Sequence, residues 1–212
     1  MKRGKIKTAY WEGTLKTGKQ PASVYAFCDQ HELTEAEFYE HFTSFYGIEA
    51  VYWKSLVVDT IATLDNDEDA KSYDARQKLL AFYFTFFEHT LKHRSRLITR
   101  FPKGASPGKN GCLKGFNSEF NKFASSLLIQ AREEELIRSC DKGRFNEVQE
   151  HALYAQFRTI INFHRQDSSE GFEDTDAFIE KSVKFGFDAA RMPLIDSGID
   201  LIRFTLPRVF GQ

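Results

Sequence analysis

Leu33-Thr34-Glu35-Ala36-Glu37-Phe38-Tyr39-Glu40-His41-Phe42-Thr43-Ser44-Phe45 is the stretch from which the fold of this 212-residue chain is read. The Thr34 hydroxyl can accept an otherwise orphaned backbone N–H at a helix start. Glu37 falls at the third helical position, so the two residues predict a capping box. Phe38 and Phe42 share one face at i,i+4, with Tyr39 beside them. Just upstream, Pro21-Ala22-Ser23-Val24-Tyr25-Ala26-Phe27-Cys28 reads as a second short helix, separated from the first by a tight polar turn. Two short helices joined in that way predict a helix-turn-helix.

Working outward, helical spacing dominates and no strand alternation appears. A first helix is expected from about Ile6 to Thr17, ended by Gly18. A longer helix follows from Ser44 to about Leu64, with Ile48, Val51, Tyr52, Leu56 and Val57 along one side. Asp65-Asn66-Asp67-Glu68-Asp69 is an acidic break and divides the chain into domains 1–64 and 70–212. Residues 70–92 predict a central helix, apolar nearly all round through Leu79, Leu80, Phe82, Tyr83, Phe84, Phe86 and Phe87. A short helix is expected over 94–100, then a Gly- and Pro-rich connector over 102–111. Further helices are predicted over 113–140, 144–165, 172–190 and 194–210, the last interrupted at Pro207. The fold class is therefore all-α, with nine or ten helices.

Composition describes a globular chain of 28% charged residues, with 21 phenylalanines against eight tyrosines and two tryptophans. A net charge of −1 gives it no general attraction for polyanions. No apolar run approaches the roughly 20 residues that span a bilayer. The start, Met1-Lys2-Arg3-Gly4-Lys5, is basic but lacks the apolar segment of a secretion signal. Cys28, Cys112 and Cys140 are odd in number and scattered, which fits reduced thiols. The expected compartment is the cytoplasm.

Ala22-Ser23-Val24, Leu33-Thr34 and Phe38-Tyr39-Glu40-His41-Phe42-Thr43-Ser44 together resemble the N-terminal signature of the TetR family. In that family a tyrosine and a His-Phe pair end the DNA-recognition helix, and a lysine usually follows to touch phosphate. Phe45 stands in the lysine's place, and Glu35, Ala36 and Glu37 replace the glycine and small polar residues common early in that helix. A second resemblance covers Gln166-Asp167-Ser168-Ser169, Phe172-Glu173-Asp174-Thr175, Phe178, Glu180 and Val183. These are similar to the ubiquinone-biosynthesis lipid-binding family, which has the TetR fold, works without DNA and ends in an amphipathic helix that meets membranes. The resemblances imply a TetR-like architecture: an N-terminal helix-turn-helix domain and a larger C-terminal helical bundle for ligand and dimerisation. Peripheral membrane contact is part of what the second one implies.

No nucleophile elbow, dinucleotide loop or paired-carboxylate arrangement is present, so the sequence makes no case for an enzyme or a cofactor. His89 and His93 have metal-ligand spacing without a third ligand, and positive neighbours Lys92, Arg94 and Arg96 surround them. No metal is expected.

Two functions remain open. One is a ligand-responsive DNA-binding regulator. Its dimer would set two recognition helices about one DNA turn apart. The residues placed to touch DNA are Lys2, Arg3 and Lys5 from the basic start, and Thr34, Glu35, Glu37, Tyr39 and His41 from the second short helix. The other is a non-catalytic binder of an apolar, lipid- or quinone-like molecule, on a helix-turn-helix degenerate for DNA. Charge favours the second: Gln20 to Trp53 holds no lysine or arginine but has Asp29, Glu32, Glu35, Glu37, Glu40 and Glu49. DNA affinity comes from basic side chains neutralising phosphates. The ring excess on residues 70–92 predicts an apolar cavity lined by Phe82, Tyr83, Phe86, Phe120 and Phe123. A homodimer is expected through the helices at 144–165 and 172–190, paired as a four-helix bundle.

Overall fold

The computed structural model describes residues 2–102, 111–138 and 143–191. Among them are nine α-helices and no strand: α1 Lys2–Thr17, α2 Val24–Gln30, α3 Glu35–His41, α4 Phe45–Asp65, α5 Ala75–Leu91, α6 Arg94–Arg100, α7 Lys114–Glu133, α8 Gly143–Gln166 and α9 Glu173–Arg191. The all-α expectation holds. The centre of the connector at 102–111 and the helix expected over 194–210 lie outside the described residues.

The short helices begin where side chains can satisfy orphaned N–H groups. Ser23 accepts from Ala26 N at the head of α2. The capping box forms at α3, with Thr34 Oγ1 accepting from Glu37 N and Glu37 Oε2 accepting from Thr34 N. Each such cap contributes about 1 kcal/mol. Ser44 starts α4 in the same way, through Gly47 N. Asp74 and Gln77 make a second box at α5. That box divides the single helix expected over 70–92: Asp69–Ser72 forms a 3-10 turn, and α5 starts only at Ala75. Gly18 takes φ 69° just past α1, as a helix-ending glycine does. α7 ends at Glu133, earlier than expected, because the chain turns through Glu135 at φ 56°.

Tyr10 and Trp11 of α1, Phe27 of α2, Phe38 of α3 and Phe45 of α4 are buried together. Phe38 meets both Phe27 and Phe45 edge-on, at 6.0 and 5.5 Å between centroids. α4 continues out of this cluster to pack on α5 and α7, so the buried core runs from Ile6 to Val183. α6 lies against α1, where Arg96 stands over the rings of Trp11 and Tyr52. α7, α8 and α9 pack side by side and form the layer that carries the groove described next.

Candidate functional site

The five residues expected to line a cavity sit at the centre of a ring block. Phe82, Tyr83, Phe86 and Phe120 are fully buried. Phe82 stacks on Phe123 at 4.4 Å between centroids. Phe157 of α8 locks the block, at 4.6 Å from Phe120, 4.8 Å from Phe86 and 5.4 Å from Phe116. Such pairs add roughly 0.5–1.5 kcal/mol each beyond their area burial. The structure brings all five together, but they pack against one another. None belongs to the lining of the large groove, which opens one layer away.

That groove has a volume of about 350 Å³, within the range of small-molecule sites. α7 supplies Leu127 and Leu128, and Ile137 follows it. α8 supplies Val148, Gln149, Ala152, Leu153 and Gln156. α9 supplies Ser182, Val183, Phe185, Gly186, Phe187, Ala189 and Ala190, and Leu79 of α5 closes the floor. No charged side chain lines it among the described residues. The open space follows from small residues facing each other across α8 and α9: Ala152 on one side, Gly186, Ala189 and Ala190 on the other. The small residues are legible in the sequence, but their pairing across α8 and α9 is not.

The far end of α9 is stitched to the α7–α8 connection. Arg191 Nε donates to Leu136 O at 2.9 Å, and Arg138 N donates to Ala190 O at 3.4 Å. Its near end is held by Asp167, whose carboxylate accepts from Ser169 N at 2.8 Å and Thr175 N at 2.9 Å. The aspartate and threonine of the second sequence resemblance thus fasten α9 to the end of α8. Beside them, buried His164 meets the rings of Phe87 and Phe172.

At the other end of the molecule, Glu37 pairs with Lys2, which lowers its pKa to about 2. Arg3 stands 5.4 Å over the Phe42 ring. The basic start of α1 therefore lies beside α3. Lys5, Thr34 and Glu35 are exposed, Tyr39 is half-exposed and His41 half-buried. Glu49 is not on the surface at all: it is buried in α4, where it accepts from Tyr10 Oη and Arg100 Nε. Of the six acidic residues between Gln20 and Trp53, four remain exposed and outside any ion pair among the described residues: Asp29, Glu32, Glu35 and Glu40.

The histidine pair at 89 and 93 does not share a helix, since α5 stops at Leu91. His89 instead meets the hydroxyls of Thr60 and Thr63. Among the described residues no three His, Cys, Asp or Glu side chains cluster as metal ligands. No helix among them is long and apolar enough to cross a membrane.

The family described as tetracyclin repressor-like, C-terminal domain, matches residues 78–205, more than half of the chain. This chain belongs to that family. Every residue lining the groove falls inside the tetracyclin repressor-like span. A solved structure of a protein of unknown function from Rhodococcus sp. RHA1 is similar, with a TM-score of 0.59 at 15% identity. The likeness covers 91% of this chain and 96% of that one, and it extends the shared fold beyond the tetracyclin repressor-like span. No curated protein matches the sequence.

Proposed function

We propose that this tetracyclin repressor-like chain is a non-catalytic binding protein whose groove takes an apolar, lipid- or quinone-like molecule. In this reading residues 70–212 hold the ligand and the dimer contact, while the helix-turn-helix of residues 1–64 does not grip DNA. The observation that carries the proposal is the groove itself, about 350 Å³ with an almost wholly apolar lining. Pockets of that character bind ligands by removing apolar surface from water. The homodimer is supported by exposed apolar side chains on neighbouring helices: Val148 and Phe163 on α8 and Phe185 on α9, with Phe163 stacked on Phe178 at 4.7 Å. Native mass spectrometry of freshly purified protein tests both points. A dimer carrying an apolar molecule of defined mass is the expected result. A ligand-free monomer that also fails to bind an apolar fluorophore would overturn the proposal.

A DNA-binding regulator is the second reading. It is favoured by one observation, the placement of Lys2 and Arg3 beside α3. Sub-micromolar, sequence-specific binding to its own upstream DNA at about 150 mM salt would establish it.

A further inference from the structure

Two side-chain amides interrupt the apolar lining of the groove, Gln149 and Gln156. They are two turns apart on α8 and so share a face. Each has its oxygen already engaged. Gln149 Oε1 accepts from Arg132 Nη2 at 2.6 Å, and Gln156 Oε1 accepts from the Tyr83 hydroxyl at 3.0 Å. A guanidinium offers donors only, so the orientation of the Gln149 amide is fixed: oxygen to Arg132, nitrogen away from it. Burial pushes the Tyr83 phenol up, which keeps it protonated and able to donate. The consequence is a pair of N–H₂ groups left for something else. Gln149 Nε2 is buried and has no hydrogen-bond partner among the described residues. Gln156 Nε2 lies beside Gly186 of α9, where an added Cβ would stand 3.6 Å from it.

We infer that the groove recognises an apolar molecule through a neutral carbonyl oxygen, to which the buried Gln149 amide donates, with the Gln156 amide as a second donor two turns along the same wall. This rests on the groove being a ligand site, as proposed above. A buried donor without an acceptor is unfavourable, and a carbonyl placed against it repairs the deficit while the rest of the ligand covers apolar wall. Arg132 strengthens the arrangement, because drawing electron density from the Gln149 oxygen makes its N–H groups better donors. A carboxylate fits less well. No charged side chain lines the groove among the described residues, and an ion without a paired charge is strongly disfavoured in an apolar site. The ligand class is thus a ketone, ester or quinone carbonyl on an apolar body.

The test uses the full chain with a bound fluorescent apolar probe, phenylnaphthylamine. It is displaced by an alkane, a methyl ketone and a carboxylic acid of the same medium chain length. The ketone should compete about fivefold to tenfold better than the alkane, roughly one net hydrogen bond or slightly more. Gln149→Leu and Gln156→Leu should each shrink that preference while leaving alkane competition in place, with folding checked by circular dichroism. Gln149→Glu, which removes the donor and keeps the shape, should abolish most of it. Equal competition by alkane and ketone would overturn the carbonyl inference and leave the apolar groove standing. The acid competing best would overturn it too. Failure of the probe to bind at all would remove the ligand groove, and this inference with it.

Discussion

Arg100 of α6 donates from Nε to Oε1 of buried Glu49 in α4 at 2.6 Å, an ion pair that ties the helix after the ring block to the helix-turn-helix segment. The same oxygen accepts from the Tyr10 hydroxyl, and Gln20 Nε2 lies 3.3 Å from it. α1, α4 and α6 are thereby joined through one carboxylate. Neutralising Glu49 leaves the half-buried Arg100 guanidinium without its carboxylate. Glu49→Gln should destabilise the fold by about 1–3 kcal/mol, read from urea unfolding. A loss under about 1 kcal/mol would show that the three helices are held by packing alone.

Phe157 is the common neighbour of Phe82, Tyr83, Phe86, Phe116 and Phe120. Phe157→Ala should cost about 3–5 kcal/mol, because five surrounding rings cannot collapse into the space without losing their own contacts. Phe185, 74% exposed at the groove, should tolerate alanine within about 0.5 kcal/mol in the isolated protomer. Parallel thermal melts of the two variants check the contrast.

The turn between α2 and α3 passes through Glu32 at φ 55°, a left-handed conformation that costs an L-residue about 1–2 kcal/mol. Glycine removes that strain but loses more chain entropy on folding. Glu32→Gly should therefore be neutral to about 1 kcal/mol stabilising. A marked loss of stability would mean that the Glu32 side chain does something beyond occupying the turn.

Burial and the nearby Arg94 guanidinium hold the His164 pKa down, to about 4. The unfolded chain protonates this histidine near the ordinary 6.5, so between the two values it binds more protons than the folded chain does. Stability should fall as pH drops from about 6.5 towards 4, and His164→Gln should flatten that slope. Asp167 acts lower down. Hydrogen bonds from Ser169 and Thr175 outweigh its burial and depress its pKa. Its contribution is present above the ordinary carboxylate range and lost below it. Denaturant midpoints across pH 4 to 8 measure the first effect directly, and an unchanged slope in the variant would assign the loss to other groups.

Weak binding to duplex DNA is expected, since phosphate neutralisation would fall to the start of α1 while Glu35 and Glu40 face outward from α3. Glu35→Lys with Glu40→Lys should raise non-specific affinity and steepen its salt dependence if α3 can approach a groove. Glu37 is left out because it serves both the cap and Lys2. Anisotropy titrations at two salt concentrations decide the point.

Where the sequence spoke through local chemistry, the structure agrees. Thr34 and Glu37 needed only each other to announce α3, and the bounds of α6 follow from a short run with no competing cap. Gly4 obscures the early start of α1 at Lys2, and apolar periodicity alone runs past the box at Asp74 and Gln77, so it gives α5 too great a length. Glu49 is indistinguishable in the sequence from the other acids between Gln20 and Trp53, because nothing nearby reveals Arg100, some fifty residues along the chain. The five rings were expected to enclose space for a similar reason. Their excess on α5 is visible in the sequence, but Phe157, which fills the gap between them, comes from a helix about seventy residues later. Contacts at such separation leave no local periodicity to read.

The closed ring block has a bearing on how such a chain can diversify. Its rings pack on one another, and the groove lies on the far side of Leu79 and Leu127, built, Gln156 apart, from side chains to which the block makes no hydrogen bond. Substitutions at Ala152, Gly186 or Ala189 can reshape the chamber without spending the stability stored behind it, whereas Gln156 is tied to the block through the Tyr83 hydroxyl. Selection for a different ligand would then act on a handful of positions in α8 and α9, while the aromatic wall is inherited unchanged.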